Sequence, residues 1–144
     1  MRICFDMDGT IANLYGVDGW LADLLAENTR PYEVAEVMVR MSTLARLLNR
    51  LQKKGYEIGI ISWLSKSGSD KYNAEVAEVK KAWLRKHLAS VRFDFVEIVK
   101  YGTDKNIVRT DASDILFDDE IGNRENWKGT AYDVDKILEV LRAL

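Results

Sequence analysis

The chain of 144 residues has one cysteine, one proline, one histidine and almost no excess of either charge. Each scarcity excludes something. A lone cysteine, Cys4, cannot close an internal disulfide. A lone histidine, His87, gives poor support to a histidine-based metal cluster or a Ser-His-Asp triad. A net charge of −2 supplies no broad attraction to nucleic acid or to an anionic membrane, although a local basic pocket stays open. No apolar run approaches bilayer-spanning length. The opening MRICFDMDGT has an apolar stretch too short for a signal peptide and broken by Asp, so a cytoplasmic location is expected. Cys4 reads as a small apolar residue of a buried strand. His87, in WLRKHLAS, suits the end of a helix, where a polar or positive group complements the dipole.

What is present is a regular alternation. RICF (2–5), YEIGIIS (56–62), FDFVEIV (93–99), ILFDD (115–119) and GTAYDV (129–134) read as strands. Between them, Leu44, Leu47, Leu48 and Leu51 recur at helical spacing before Gly55, and residues 74–88 form an amphipathic pattern with Val76, Val79 and Trp83 on one side. Residues 19–41 hold two short helical patterns, with Pro31 suited to the first turn of the second. Val134, Ile137, Leu138 and Leu141 give the last helix its apolar face. SGSDKYN reads as a loop. No repeat, low-complexity tract or linker divides the chain, so one domain over 1–144 is expected. Strands alternating with helices predict an α/β fold: a mostly parallel five-stranded sheet with helices on both faces, a Rossmann-like three-layer αβα sandwich.

In such a sheet the ligand crevice lies beyond the carboxyl ends of the strands. Asp6 and Asp8 follow the first strand, Ser62 ends the second, and Asp118 and Asp119 end the fourth. All therefore converge on one edge. Carboxylates so close repel, and a hard cation removes the conflict. Oxygen donors without Cys or His favour Mg²⁺ over zinc. A carboxylate can also act as nucleophile toward phosphorus. Phosphoryl transfer then needs chiefly positioning and neutralisation, for which Ser62 and a downstream lysine are available. The second acid of the first pair can protonate the leaving oxygen and later take a proton from water. Gly9 permits a tight turn after the acids, and Thr10 can hydrogen-bond to fix it.

DMDGT, then IIS, then a lysine, then ILFDD resembles the ordered motif series of the haloacid dehalogenase-like (HAD) superfamily of phosphohydrolases, over nearly the whole chain. The resemblance implies that Asp6 is the nucleophile that becomes phosphorylated and that Asp8 is the general acid/base, with its backbone carbonyl on Mg²⁺. It implies that Ser62 bonds a phosphoryl oxygen, that Asp118 ligates Mg²⁺, and that Asp119 supports the ion directly or through water. Lys100 and Lys105 are both candidates for the third motif, with Lys80 and Lys81 as outsiders. DKNIVRTDASDILFDD resembles the 5'(3')-deoxyribonucleotidases, where a lysine follows an aspartate shortly before the acid pair, and this favours Lys105.

In that superfamily an inserted cap selects the substrate. Here the candidate is a small helical cap insert at about 12–41, carrying Tyr15, Trp20, Tyr32 and Met38, and much shorter than in the well-known nucleotidases. Thr10, Trp63, Lys66 and Arg124 complete the set of candidate substrate-binding residues. Lys66 could hold a second phosphate or the non-reacting part of the substrate. Arg124 could clamp a phosphate, or pair with neighbouring Glu120 or Glu125. The expected activity is Mg²⁺-dependent hydrolysis of a phosphate monoester through an aspartyl phosphate. The substrate is a small phosphorylated molecule, with a (deoxy)nucleotide 5'-phosphate as a candidate. The alternatives are a phosphotransferase, a phosphatase of nucleic-acid ends or phosphoproteins, and a non-catalytic phosphoacceptor or binding module. A response-regulator receiver would carry its phosphorylated Asp at the end of the third strand, whereas here that strand ends EIVKYG.

Overall fold

The first strand, β1 (Arg2–Phe5), is apolar on both faces because it becomes the middle of a sheet. In the computed structural model, which describes residues 1–144, the chain next forms a two-residue strand β2 (Ala12–Asn13), the short helices α1 (Trp20–Leu25) and α2 (Arg30–Val34), and β3 (Glu36–Val37). The regular alternation then begins: α3 (Met41–Lys53), β4 (Glu57–Trp63), α4 (Asp70–His87), β5 (Phe95–Val99), β6 (Ile115–Phe117), α5 (Ile121–Asn126), β7 (Thr130–Tyr132) and α6 (Ile137–Ala143). Five strands form one sheet in the order β5-β4-β1-β6-β7, every neighbouring pair parallel. This is the expected Rossmann-like α/β arrangement. No helix is long and apolar enough to cross a membrane.

The handedness of parallel crossovers explains the layering. From β1 the chain steps to β4 and then to β5 in one direction, which puts α3 and α4 on one face. The crossing back to β6 and the step on to β7 run the other way, on the opposite face. The first face is the larger core: Ile3, Phe5, Ile58, Ile60, Ile115 and Phe117 from the strands meet Leu44, Leu47, Leu48 and Leu51 of α3, Trp83 and Leu84 of α4, and Ile137 and Leu141 of α6. The second face is thinner. Cys4, Ile61 and Leu116 are covered by Val108 and Trp127, and the Phe95 ring lies over Gly59, where a Cβ would collide with it.

Some boundaries differ from those the pattern predicts. The α4 helix begins at Asp70 rather than 74, because the Ser69 side chain accepts the Tyr72 N–H at 3.1 Å and caps it. The second pattern in 19–41 ends as a helix at Val34. Ala35 turns extended, its carbonyl accepts the Trp83 indole N–H at 2.8 Å, and Val37 pairs antiparallel with Ala12. The β2–β3 ribbon therefore closes the base of the inserted segment. The insert is fixed to α4 by three further bonds: Glu27 accepts the Ser69 backbone N–H at 2.8 Å and the Ser69 hydroxyl at 2.9 Å, and the Tyr72 hydroxyl donates to Asn28 O at 2.9 Å.

The edge of β6 nearest the chain start is tied down by Asp114. This fully buried carboxylate accepts the backbone N–H groups of Arg2 at 2.7 Å, Thr110 at 2.7 Å and Asp111 at 3.1 Å. Asp114→Ala strands buried donors on both β1 and the 110–114 turn, and is expected to destabilise the fold by about 3 kcal/mol. Urea denaturation should show a lower midpoint with an unchanged slope, and an unaltered midpoint would contradict this role.

Candidate active site

The strands β1, β4 and β6 are neighbours, so the residues beyond their carboxyl ends meet at one edge. Asp6 continues β1, with its N–H on Phe117 O at 2.9 Å. The chain then turns sharply: Met7 O accepts the N–H groups of Thr10, Ile11 and Ala12, each at 3.0 Å. Gly9 stands in this turn at φ +79°, and a Cβ there would collide with the Asp119 carboxylate and lie 2.9 Å from the Tyr15 ring. Glycine is thus required twice over, by the backbone and by the close approach of the second acid pair.

Lys105 links the two pairs. Its ammonium donates to Asp6 Oδ1 at 3.0 Å and to Asp118 Oδ2 at 2.7 Å, with all three side chains buried. The lysine is delivered by a 3-10 turn, Lys105–Val108, which Asp104 caps by accepting the Asn106 N–H and whose Val108 is sunk in the second core. Burial opposes its charge, but Asp6 and Asp118 outweigh that and hold the ammonium above the ordinary lysine pKa. Lys100 is exposed at the end of β5 and Lys81 pairs with Glu78 on the surface. Lys80 is also buried in the site: it donates to Asp8 Oδ2 at 2.7 Å, Ser62 Oγ at 2.9 Å and Trp63 O at 2.7 Å. The sequence carries a faint sign of this, since Lys80 interrupts the apolar face of α4 between Val76 and Trp83.

The second acid pair is equally constrained. Asp118 Oδ1 accepts the Glu120 N–H at 2.9 Å, and its Oδ2 also accepts from Asn123 Nδ2 at 3.1 Å. Burial and the neighbouring Asp6 push Asp118 up to about 6, and the same two causes push Asp119 up to about 7. Asp8 is raised by burial and by Asp6, against the pull of Lys80. The oxygens of Asp6, Asp118 and Asp119 lie within 4.8 Å of one another, while the Asp8 carboxylate is held apart on Lys80. Four carboxylates thus face two ammonium groups. The excess matches a divalent cation, and the all-oxygen donor set suits a hard one.

Ser62 is fully buried at the end of β4, its Oγ accepting from Lys80, and is not among the residues that line the cleft. Two of the expected substrate contacts are also placed elsewhere. Thr10 is fully buried rather than on the cleft wall. Its Oγ1 lies 3.1 Å from Asp6 Oδ2 and 3.2 Å from Asp119 Oδ1, and accepts the Asp119 N–H at 3.2 Å, so it braces the acids. Arg124 also stands off the cleft wall. Its Nη1 donates to the carbonyls of Asp118 at 2.9 Å and Asp119 at 2.8 Å, and lies 3.7 Å from Asp133 rather than pairing with Glu120 or Glu125. Trp63 and Lys66 do line the cleft, a space of about 340 Å³ that reaches from Asp6, Asp8 and Lys105 out to the insert. Tyr15 and Trp20 meet edge to face at 4.9 Å on one side, and Trp63 and Tyr101 lie 4.9 Å apart on the other. Lys66 Nζ sits 5.7 Å from the Tyr101 ring at the rim.

No protein-family model and no curated protein matches this chain. Among solved structures, it is similar to the crystal structure of D,D-heptose 1,7-bisphosphate phosphatase from Burkholderia thailandensis, at 14% identity and a TM-score of 0.51, over 86% of this chain and 69% of that one. The likeness is one of fold, the Rossmann-like α/β fold that the haloacid dehalogenase-like resemblance implies.

Gly9→Ala tests the packing of the two acid pairs. Left-handed backbone at an alanine costs about 1–2 kcal/mol, and the added methyl displaces Asp119. Lower stability in urea together with weaker divalent-cation binding by calorimetry is expected. Unchanged cation affinity would show that Asp119 does not depend on the space at Gly9.

Proposed function

We propose that this protein is a Mg²⁺-dependent phosphomonoesterase working through an aspartyl phosphate on Asp6. One observation supports this above all: the Asp6 carboxylate shares Lys105 with Asp118 at the floor of a cleft, while Asp8, two residues on, stands outside the cation-sized group of acids. The nucleophile and the proton carrier are thereby separated although they are close in sequence. The structural neighbour is itself a bisphosphate phosphatase, which agrees with this reading.

Asp6, Asp118 and Asp119, with the Asp8 backbone carbonyl, would hold Mg²⁺, which when bound neutralises phosphoryl oxygens. A carboxylate oxygen of Asp6 attacks phosphorus, and the bond to the ester oxygen breaks. Lys105 offsets charge on Asp6 and on the phosphoryl group, and Ser62 donates to a phosphoryl oxygen. Protonated Asp8 gives its proton to the leaving oxygen. Water then attacks the phosphorus of the acyl phosphate, its proton passes to Asp8, and inorganic phosphate leaves with Asp6 restored. The aromatic walls of the cleft and Lys66 at its rim support a substrate with a planar or apolar organic part. A (deoxy)nucleoside 5'-monophosphate is the substrate we propose for such a cleft.

Phosphate release from p-nitrophenyl phosphate and deoxynucleoside monophosphates tests this directly. Release should need Mg²⁺, stop with chelator, and fall by roughly 1,000-fold or more in Asp6→Asn. Chelator-resistant release, or release that survives in Asp6→Asn, would overturn the reading. Mg²⁺ at a hundredfold excess over its Kd should also stabilise the wild type by about 2.7 kcal/mol. Asp118→Asn should lose most of that thermal shift, and an equal shift in the variant would place the ion elsewhere.

A further inference from the structure

Lys80 is only 1% exposed, buried in a stretch of α4 whose neighbours on the same face are apolar. Burying an ammonium costs several kcal/mol unless it is fully paired. Here it is: an ammonium has three donors and no acceptor, and all three are taken by Asp8 Oδ2, Ser62 Oγ and Trp63 O. The Tyr32 ring of the insert lies 5.2 Å away. Lys105 uses two bonds on carboxylates and lines the cleft, whereas Lys80 does not line it.

We propose that Lys80 is a positioning residue that sets the hydrogen-bonding sense of Ser62 and selects the working oxygen of Asp8. The inference rests on the phosphomonoesterase reading above. Ser62 Oγ accepts from Lys80, so its single proton must point elsewhere, and the hydroxyl is presented as a donor. That is the sense a phosphoryl oxygen, an acceptor, requires. Asp8 Oδ2 is held by Lys80, which leaves Oδ1 as the oxygen free of that bond in a residue that lines the cleft. Oδ1 is therefore the atom that gives and takes the proton. Without the ammonium, the Ser62 hydroxyl is free to donate to Asp8 or to Trp63 O, and the carboxylate is free to rotate. The chemistry then loses two alignments at once, while the substrate contacts on the cleft wall stay in place.

The test is Lys80→Met, which nearly keeps the side-chain length and removes the charge, assayed beside wild type on p-nitrophenyl phosphate with Mg²⁺, with the fold checked by circular dichroism. A fall in kcat of about 100-fold with KM within about threefold is expected. In a Ser62→Ala background the same change should cost less than about tenfold, because one of the two groups it positions is gone. Lys80→Ala should regain kcat on addition of propylammonium chloride but not sodium chloride. A folded Lys80→Met with kcat within about threefold of wild type, or the same loss in both backgrounds, overturns the inference and leaves the phosphatase reading standing. Wild type that releases no phosphate overturns both. Should Lys80→Met fail to fold, the propylammonium response of Lys80→Ala decides, and no response from folded protein counts against Lys80.

Discussion

The Lys105 ammonium, 3.0 Å from Asp6 and 2.7 Å from Asp118, is the contact on which the rest of the site depends. It brings carboxylates from two strand ends together where their mutual repulsion would otherwise push them apart. Removing one partner of such a buried arrangement typically costs about 3–5 kcal/mol, because charge is left without compensation. The expense explains the surrounding structure. Gly9 gives room for Asp119, Thr10 bridges both acid pairs, and Arg124 with Asn123 fixes the turn that carries Asp118. Even so, the acids outnumber the lysines, and burial drives Asp118 and Asp119 well above ordinary carboxylate values. The site is built to be completed by positive charge.

The second constraint is the inserted segment between β2 and β3. Its two short helices have little core of their own, and they are held by one face of α4. Tyr72, Val76 and Trp83 meet it with apolar surface and indole or phenol hydrogen bonds, and Lys80 lies among them against Tyr32. The same helix therefore holds the cleft's outer wall in place and carries a buried cation that touches Asp8 and Ser62.

Much of this was legible in the residue pattern, and the reasons differ by element. Unbroken apolar runs such as ICF and ILF mark buried parallel strands, and acids directly after them are best tolerated at the open edge of a sheet. That logic places Asp6, Asp8, Asp118 and Asp119 at one edge, and Ser62 joins them as the last residue of a neighbouring predicted strand. Lys105 was legible through resemblance, from DKNIV ahead of the acid pair. Lys80 leaves only a faint trace, a break in the apolar face of α4, because a lysine on a helix is usually solvated and it takes the tertiary fold to show that this one points inward. For Thr10 and Arg124 the pattern offers both a substrate contact and an internal role, turn-fixing for Thr10 and a salt bridge for Arg124. In the structure both are occupied by internal bonds, Arg124 on the Asp118 and Asp119 carbonyls rather than on Glu120 or Glu125. The end of α2 is not legible for a related reason: Ala35 leaves the helix to receive a bond from Trp83, a partner 48 residues away in sequence.

The central claim is that Asp6 carries the phosphoryl group. It is tested most directly by incubating the protein with a phosphate monoester and Mg²⁺, quenching in acid and locating the added phosphoryl mass by peptide mass spectrometry. The account predicts an adduct on the peptide containing residue 6, formed only with Mg²⁺ and removed by hydroxylamine. Turnover with no adduct, or an adduct mapped to Asp118, Asp119 or Ser62, would contradict it.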